Sequence, residues 1–194
     1  MDNEKNIVIG FLVIVILIGL MILIKIFPHI NFSTPIEMTI VKQNGSITEI
    51  TNQRNPSYIQ HYKIPNINFP EGTEFEHPGI GKFGLQTDFF ADLYTVINIK
   101  KEGTYFFSVA SDDGFQLWID NNLIGEFISN RSFSTDQVNV YLNEGDHHFK
   151  LSYYQGWGRL GLVSFYQGFG DSTTYLIGKN SKYMSFKYDD TIQY

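Results

Sequence analysis

The stretch from Gly103 to Asp120 reads Gly-Thr-Tyr-Phe-Phe-Ser-Val-Ala-Ser-Asp-Asp-Gly-Phe-Gln-Leu-Trp-Ile-Asp, and it permits little besides β-strands. Side chains in a strand alternate between two faces. Tyr105, Phe107 and Val109 therefore share one face of a first run, Thr104 to Ala110, and Phe115, Leu117 and Ile119 share one face of a second, Phe115 to Asp120. Both runs bury a face. Between them Ser111-Asp112-Asp113-Gly114 makes a tight polar corner, where Gly114 is expected to supply the positive φ that short turns favour. Two adjacent carboxylates in a rigid turn have two uses. They cap backbone N–H groups, or they hold a hard cation such as calcium, which takes oxygen ligands.

The same alternation recurs at short spacing from Leu93 onward. Strands are expected at Leu93 to Ile99, Leu123 to Phe127, Val138 to Leu142, His147 to Tyr154 and Leu160 to Tyr166, with a last one at Tyr175 to Ile177 or Tyr183 to Phe186. Seventeen Phe, twelve Tyr and seventeen Gly, with no heptad stretch, favour sheets and turns over helices. The fold class read from this is all-β, an antiparallel β-sandwich over residues 37–188. Upstream, Met38 to Lys42 and Ser46 to Thr51 flank Gln43-Asn44-Gly45 and are expected to form a hairpin, because Asn-Gly is a strong turn signal. Thr51 to Phe83, with four prolines, reads as loop, its later part wrapping the sheet and lending Phe69 and Phe75 to it.

The corner also carries a resemblance. Gly103-Thr104-Tyr105-Phe106-Phe107, Ser111 to Gly114, Leu117-Trp118-Ile119-Asp120, Leu142 to His148 and Tyr153-Tyr154-Gln155-Gly156 stand in the order found in the β-sandwich family named after the N-terminal domain of anthrax protective antigen, the PA-fourteen family. The likeness covers Phe69 to Gln167. In fungal adhesins that this family includes, the paired aspartates bind calcium across a cis peptide and the metal grips sugar diols, which the resemblance carries to Asp112 and Asp113. Those adhesins add an Asn from the loop after the Tyr-rich strand; this chain has Gln155-Gly156-Trp157-Gly158-Arg159 there. Trp157 at that loop tip, Trp118, Gln155 and Arg159 are the candidate contacts for a ligand or partner, since flat aromatics dominate binding hot spots. Arg159 is also placed to pair with Asp112 or Asp113 if the loops meet. Because that Asn is missing, a structural corner without calcium is the preferred reading and a calcium site its alternative.

Before the sandwich, Ile7 to Ile24 carries no charge. With Lys25 snorkelling and Ile26 and Phe27 adding length, residues 7–27 are expected to span a bilayer as an uncleaved signal anchor. Residues 1–6 then form a cytoplasmic head, 28–36 a linker opened by Pro28, and 189–194 a tail. The expected location is the bacterial inner membrane, with the C-terminal domain in the periplasm or outside.

The net charge of −6, without clustered Lys and Arg, argues against a nucleic-acid partner. No Cys is available for disulfides or thiolate chemistry. His147 and His148 are adjacent and point to opposite faces of a strand, so they do not share a metal. Gly79 to Gly84 and Gly156 to Gly161 match Gly-x-Gly-x-x-Gly without a βαβ context, and no nucleophile elbow or His-Glu-x-x-His is present, so an enzyme is not expected. The function expected is a membrane-tethered structural subunit that docks on neighbouring envelope proteins or on itself; the alternative is a calcium-dependent carbohydrate-binding module.

Overall fold

The computed structural model describes residues 34–188. The expected membrane span, head and tail lie outside the described residues, among which no helix is long and apolar enough to cross a membrane. Ile36, placed above at the end of the linker, already opens the first strand and is fully buried.

Period-two alternation governs the strands, and it builds two sheets with their apolar faces together. The strands are β1 (Ile36–Gln43), β2 (Pro56–Ile64), β3 (Asn68–Gly72), β4 (Glu76–His77), β5 (Gly81–Lys82), β6 (Phe89–Ile99), β7 (Gly103–Asp112), β8 (Phe115–Ile119), β9 (Asn122–Phe127), β10 (Ser134–Leu142), β11 (Gly145–Gln155), β12 (Leu160–Gln167), β13 (Tyr175–Leu176) and β14 (Met184–Lys187). The larger sheet runs β2-β1-β6-β11-β8-β9, with β14 also on β6; the smaller runs β10-β7-β12-β13, with β3 also on β12. All the named pairings in both are antiparallel. Leu93, Ile97, Leu117, Phe149, Leu151 and Tyr153 from the larger sheet meet Tyr105, Phe107, Val109 and Leu162 from the smaller in one core. A side chain of this size, fully buried, contributes about 1.5–3 kcal/mol, so the alternation is also the main source of stability.

Phe69 and Phe75 lie in that core, stacked at 4.0 Å between ring centroids, so the segment after β2 closes the sandwich. Both late strands form, β13 and β14.

Three expectations are corrected. The Asn44-Gly45 turn exists, with Gly45 at φ 89°, but no hairpin follows it. β1 pairs instead with β2 and β6. Ile47 and Ile50 turn inward and join Val41, Phe90 and Tyr154 in a second small cluster. Gln43 holds the loop back on itself, donating to Gln53 O and accepting from Asn55 N–H. Within the stretch read as loop, β2 is a nine-residue edge strand; Pro56 sits at its first residue, where Pro is tolerated on an edge. Finally, Gly114 is not needed for positive φ but for space. A Cβ there would fall 2.4 Å from Phe127 O and 2.6 Å from the Tyr154 ring.

Candidate functional site

β7 belongs to the smaller sheet and β8 to the larger, so Ser111–Gly114 is where the chain crosses from one sheet to the other. The end of β7 and the start of β8 meet there, and the loops around them close a cleft. The peptide between Asp112 and Asp113 is cis. A phenol from the larger sheet holds the crossing down: Tyr153 O–H donates to Asp112 O at 2.5 Å. Ser111 O–H donates to Asp113 O at 2.6 Å.

The two carboxylates are 7% and 3% exposed and are surrounded by backbone donors. Asp113 Oδ1 accepts from Arg131 N–H at 3.1 Å, and Oδ2 from Gly156 N–H at 2.9 Å. Asp113 therefore ties the β9–β10 loop and the β11–β12 loop to the corner. Each of its oxygens keeps a second lone pair. Burial raises the Asp113 pKa against those two N–H groups. Asp112 is pushed up to about 6, first by burial and then by the charges of Asp113 and Glu71, over the opposing effects of the Phe133 N–H and Arg159. Two buried acids are thus left with too little positive charge beside them.

The nearby cations are engaged elsewhere. Arg159 does not pair with Asp112 or Asp113; its Nε donates to Glu71 Oε1 at 2.5 Å. Arg131 pairs with Asp136, and its other guanidinium nitrogens donate to Ser111 O at 3.2 Å and Ser111 Oγ at 2.8 Å. The cleft, about 320 Å³, is lined by Glu71, Asp112, Asp113, Asn130, Trp157 and Arg159, together with Arg131, Ser132 and Gly158.

The structure therefore brings together Asp112, Asp113, Trp157 and Arg159, four of the six residues expected from sequence. Trp157, 72% exposed, stands at the rim. Gln155 is not a contact: it is fully buried, its Oε1 2.9 Å from Tyr153 Oη and its Nε2 donating to Arg159 O at 3.0 Å, so it shapes the loop from beneath. Trp118 is not in the cleft; Lys150 Nζ lies 4.7 Å above its ring on the outer face of the larger sheet. Sequence reasoning missed Asn130 and Glu71. Asn130 is one polar residue in Ser129-Asn130-Arg131-Ser132, and nothing local in that run marks it.

Calcium takes about six to eight oxygens. Among the described residues no group of three or more His, Cys, Asp or Glu is placed to hold a metal. Asp112 and Asp113 nevertheless fit such an ion: two hard, under-neutralised carboxylates face a cleft open to water, and amide oxygens and the ligand itself must complete the shell.

The PA14 domain family model matches residues 81–183. Among solved structures, the PA14 domain of the MpAFP antifreeze protein aligns with a TM-score of 0.61 at 15% identity, covering 82% of this chain and 93% of that one. A PA14 sugar-binding domain from an RTX adhesin aligns at 0.58 and 16% identity, covering 73% and 93%. The Epithelial Adhesin 9 A domain from Candida glabrata, in complex with Galb1-3GlcNAc, aligns at 0.57 and 12% identity, covering 80% and 90%. These likenesses establish the fold. No curated protein matches the sequence.

Proposed function

The chain belongs to the PA14 domain family, and from that premise we propose that it is a carbohydrate-binding module whose ligand sits between the acid corner and the Trp157 loop. One observation carries this reading: Asp112 and Asp113, buried and short of positive charge, open into the same cleft as an exposed Trp at a loop tip. That combination suits a sugar, which offers paired hydroxyls to a cation and a flat C–H face to an indole. Asp112 and Asp113 would hold calcium, which when bound gathers vicinal hydroxyl oxygens. Trp157 packs on the ring face, and the Arg159–Glu71 pair walls the far side. The similar RTX adhesin domain is a sugar-binding one and the similar Candida glabrata adhesin domain is in complex with a glycan, which supports the same reading.

The display of this module belongs to the proposal. Residues 7–27 anchor it in the bacterial inner membrane, with residues 37–188 in the periplasm or outside. A second reading, docking onto envelope proteins or a further copy of the chain, is favoured by β2, an edge strand with Tyr58 and Ile59 exposed, because an unpaired edge is a template for strand addition.

Glycan-array binding of the full chain in detergent, with calcium and with chelator, tests the choice. Retention of a glycan that is lost on chelation and in Asp112→Asn supports the module. A folded protein that binds no glycan in calcium overturns it and leaves the docking reading, checked by crosslinking through β2.

A further inference from the structure

We propose that the outer face of the smaller sheet is a second binding surface, which takes an extended, uncharged polysaccharide along Tyr141, Phe106 and Phe165 without calcium. This surface is separate from the acid corner, and the inference does not rest on the reading of the cleft.

The strand register lines up three rings. Tyr105, Phe107 and Val109 face the core, so Thr104, Phe106 and Ser108 face out. Tyr141 of β10 stands opposite Thr104, and Phe165 of β12 stands opposite Ser108. Going from Tyr141 to Phe106 to Phe165 therefore moves one strand over and two residues along at each step. The three rings lie on one diagonal, with neighbouring Cα atoms about 7–8 Å apart. Phe106 is 38% exposed and Tyr141 60% exposed, and Phe165 is partly exposed. Asn139 and Gln167 flank Phe106 directly, one on each side. Gln167 Nε2 donates to Asp171 O at 2.8 Å, and its amide oxygen remains an acceptor.

Charge selects the partner. The strands β7, β10 and β12 contain two charged residues, Asp112 at the cleft and Asp136, which shares the inward side of β10 with Val138 and Val140 and pairs with Arg131. No Lys, Arg, Asp or Glu of these strands therefore stands on the outer face short of Asp112. The larger sheet is the opposite, since its outer face holds the Arg54–Asp92 pair and Lys150 above Trp118. A polyanion, an acidic lipid surface or a charged peptide gains nothing from an uncharged face on a chain of net charge −6. Rings set among amides and hydroxyls match a neutral sugar chain instead, whose C–H faces pack on the rings while its hydroxyls bond the amides. Three rings in a line suit several sugar units rather than one. Ser108, opposite Phe165, precedes Asp112 by four residues of β7, about 13 Å, which separates the stripe from the cleft.

Titration calorimetry on the full chain, in a sugar-free detergent with chelator, tests this with cellohexaose, N-acetylchitohexaose and mannohexaose and with the monosaccharide of each. At least one hexasaccharide should bind, and its monosaccharide should bind about tenfold more weakly or less; Tyr141→Ala should weaken the hexasaccharide by about tenfold, as loss of an aromatic anchor does. Tyr141→Trp keeps the flat ring and should retain binding. Phe106→Thr keeps a good strand former and should lose it. Chemical denaturation checks that each variant is folded. No heat from any of the three hexasaccharides with folded wild type overturns the inference, as does undiminished binding by both Tyr141→Ala and Phe106→Thr. Binding that appears only when calcium is restored puts the glycan in the cleft, which overturns this inference and leaves the reading above intact. A dimer that Tyr141→Ala dissolves gives the face to a second copy of the chain, and overturns it too.

Discussion

Asp92 and the Asp112–Asp113 pair are buried to similar extents and are finished differently. Asp92, 8% exposed on the outer face of β6, receives both terminal nitrogens of Arg54, the Nη2 contact at 2.9 Å, and Ser152 O–H at 2.5 Å. Arg54 lies 4.4 Å above the Phe90 ring. The corner pair has only backbone N–H groups close by, while Arg131 and Arg159 are spent on Asp136 and Glu71. A buried carboxylate is costly unless a countercharge and hydrogen bonds accompany it. Asp92 is therefore a completed structural joint, fastening the loop that carries Arg54 to the sheet. The corner is complete in hydrogen bonds and incomplete in charge, which is the condition a bound cation relieves.

The contrast is broken most directly at Arg54. Arg54→Met leaves Asp92 buried without its countercharge and should cost about 2–3 kcal/mol in chemical denaturation, somewhat below the range for a fully buried pair because Arg54 is one-third exposed. A loss under about 0.5 kcal/mol would mean that Asp92 is no better compensated than the corner. Asp113→Ala comes next. It strips acceptors from the N–H groups of Arg131 and Gly156, and leaving them unsatisfied should cost about 2 kcal/mol in chelator, and more in saturating calcium, where only wild type gains the bound ion's stabilisation.

Asp112 should respond with the opposite sign. Its folded pKa, about 6, lies above the ordinary carboxylate value of 3.8, so the folded state holds the proton more tightly. Without calcium, the stability this confers is present at low pH and is lost as pH rises from about 4 through about 6. Asp112→Asn mimics the neutral acid. At pH 7 in chelator it should raise the melting temperature by roughly 1–3 °C, a modest effect after allowance for solvent screening, and it should flatten that part of the pH profile. In saturating calcium the order should reverse, because only wild type gains the stabilisation of a bound ion. A melting temperature lowered by Asp112→Asn in chelator would place Asp112 with Asp92 as a structural acid.

The same pair shows how far the sequence could be read. The corner was legible because alternation and a Gly-ended acidic turn are local signals, and β7, β8, β11 and β12 form where the pattern placed them. Arg54 on Asp92 joins residues 38 positions apart, and no local pattern reports such a meeting. The hairpin expected after Asn44-Gly45 failed for a related reason. Ile47 and Ile50 fit a strand, but the outer face of β6 and β11 offered them Phe90 and Tyr154, and packing outweighed local propensity. Asn130 was invisible because the Tyr154 phenol that meets its side chain comes from β11, 24 positions along the chain.

The smallest expected effect on stability separates the two tryptophans. Trp157 is 72% exposed at a loop tip, so Trp157→Ala should change unfolding free energy by less than about 0.5 kcal/mol. Trp118 is half-buried under Lys150 on the outer face of the larger sheet, and Trp118→Ala should cost more, on the order of 1 kcal/mol, from lost contact area and the cation–π contact. Ligand binding should rank them the other way. If the cleft holds a sugar, Trp157→Ala loses it at unchanged stability and Trp118→Ala keeps it, measured as glycan retention in calcium. Equal retention by the two variants would remove Trp157 from the site and leave the acid corner to bind whatever it binds without an aromatic wall.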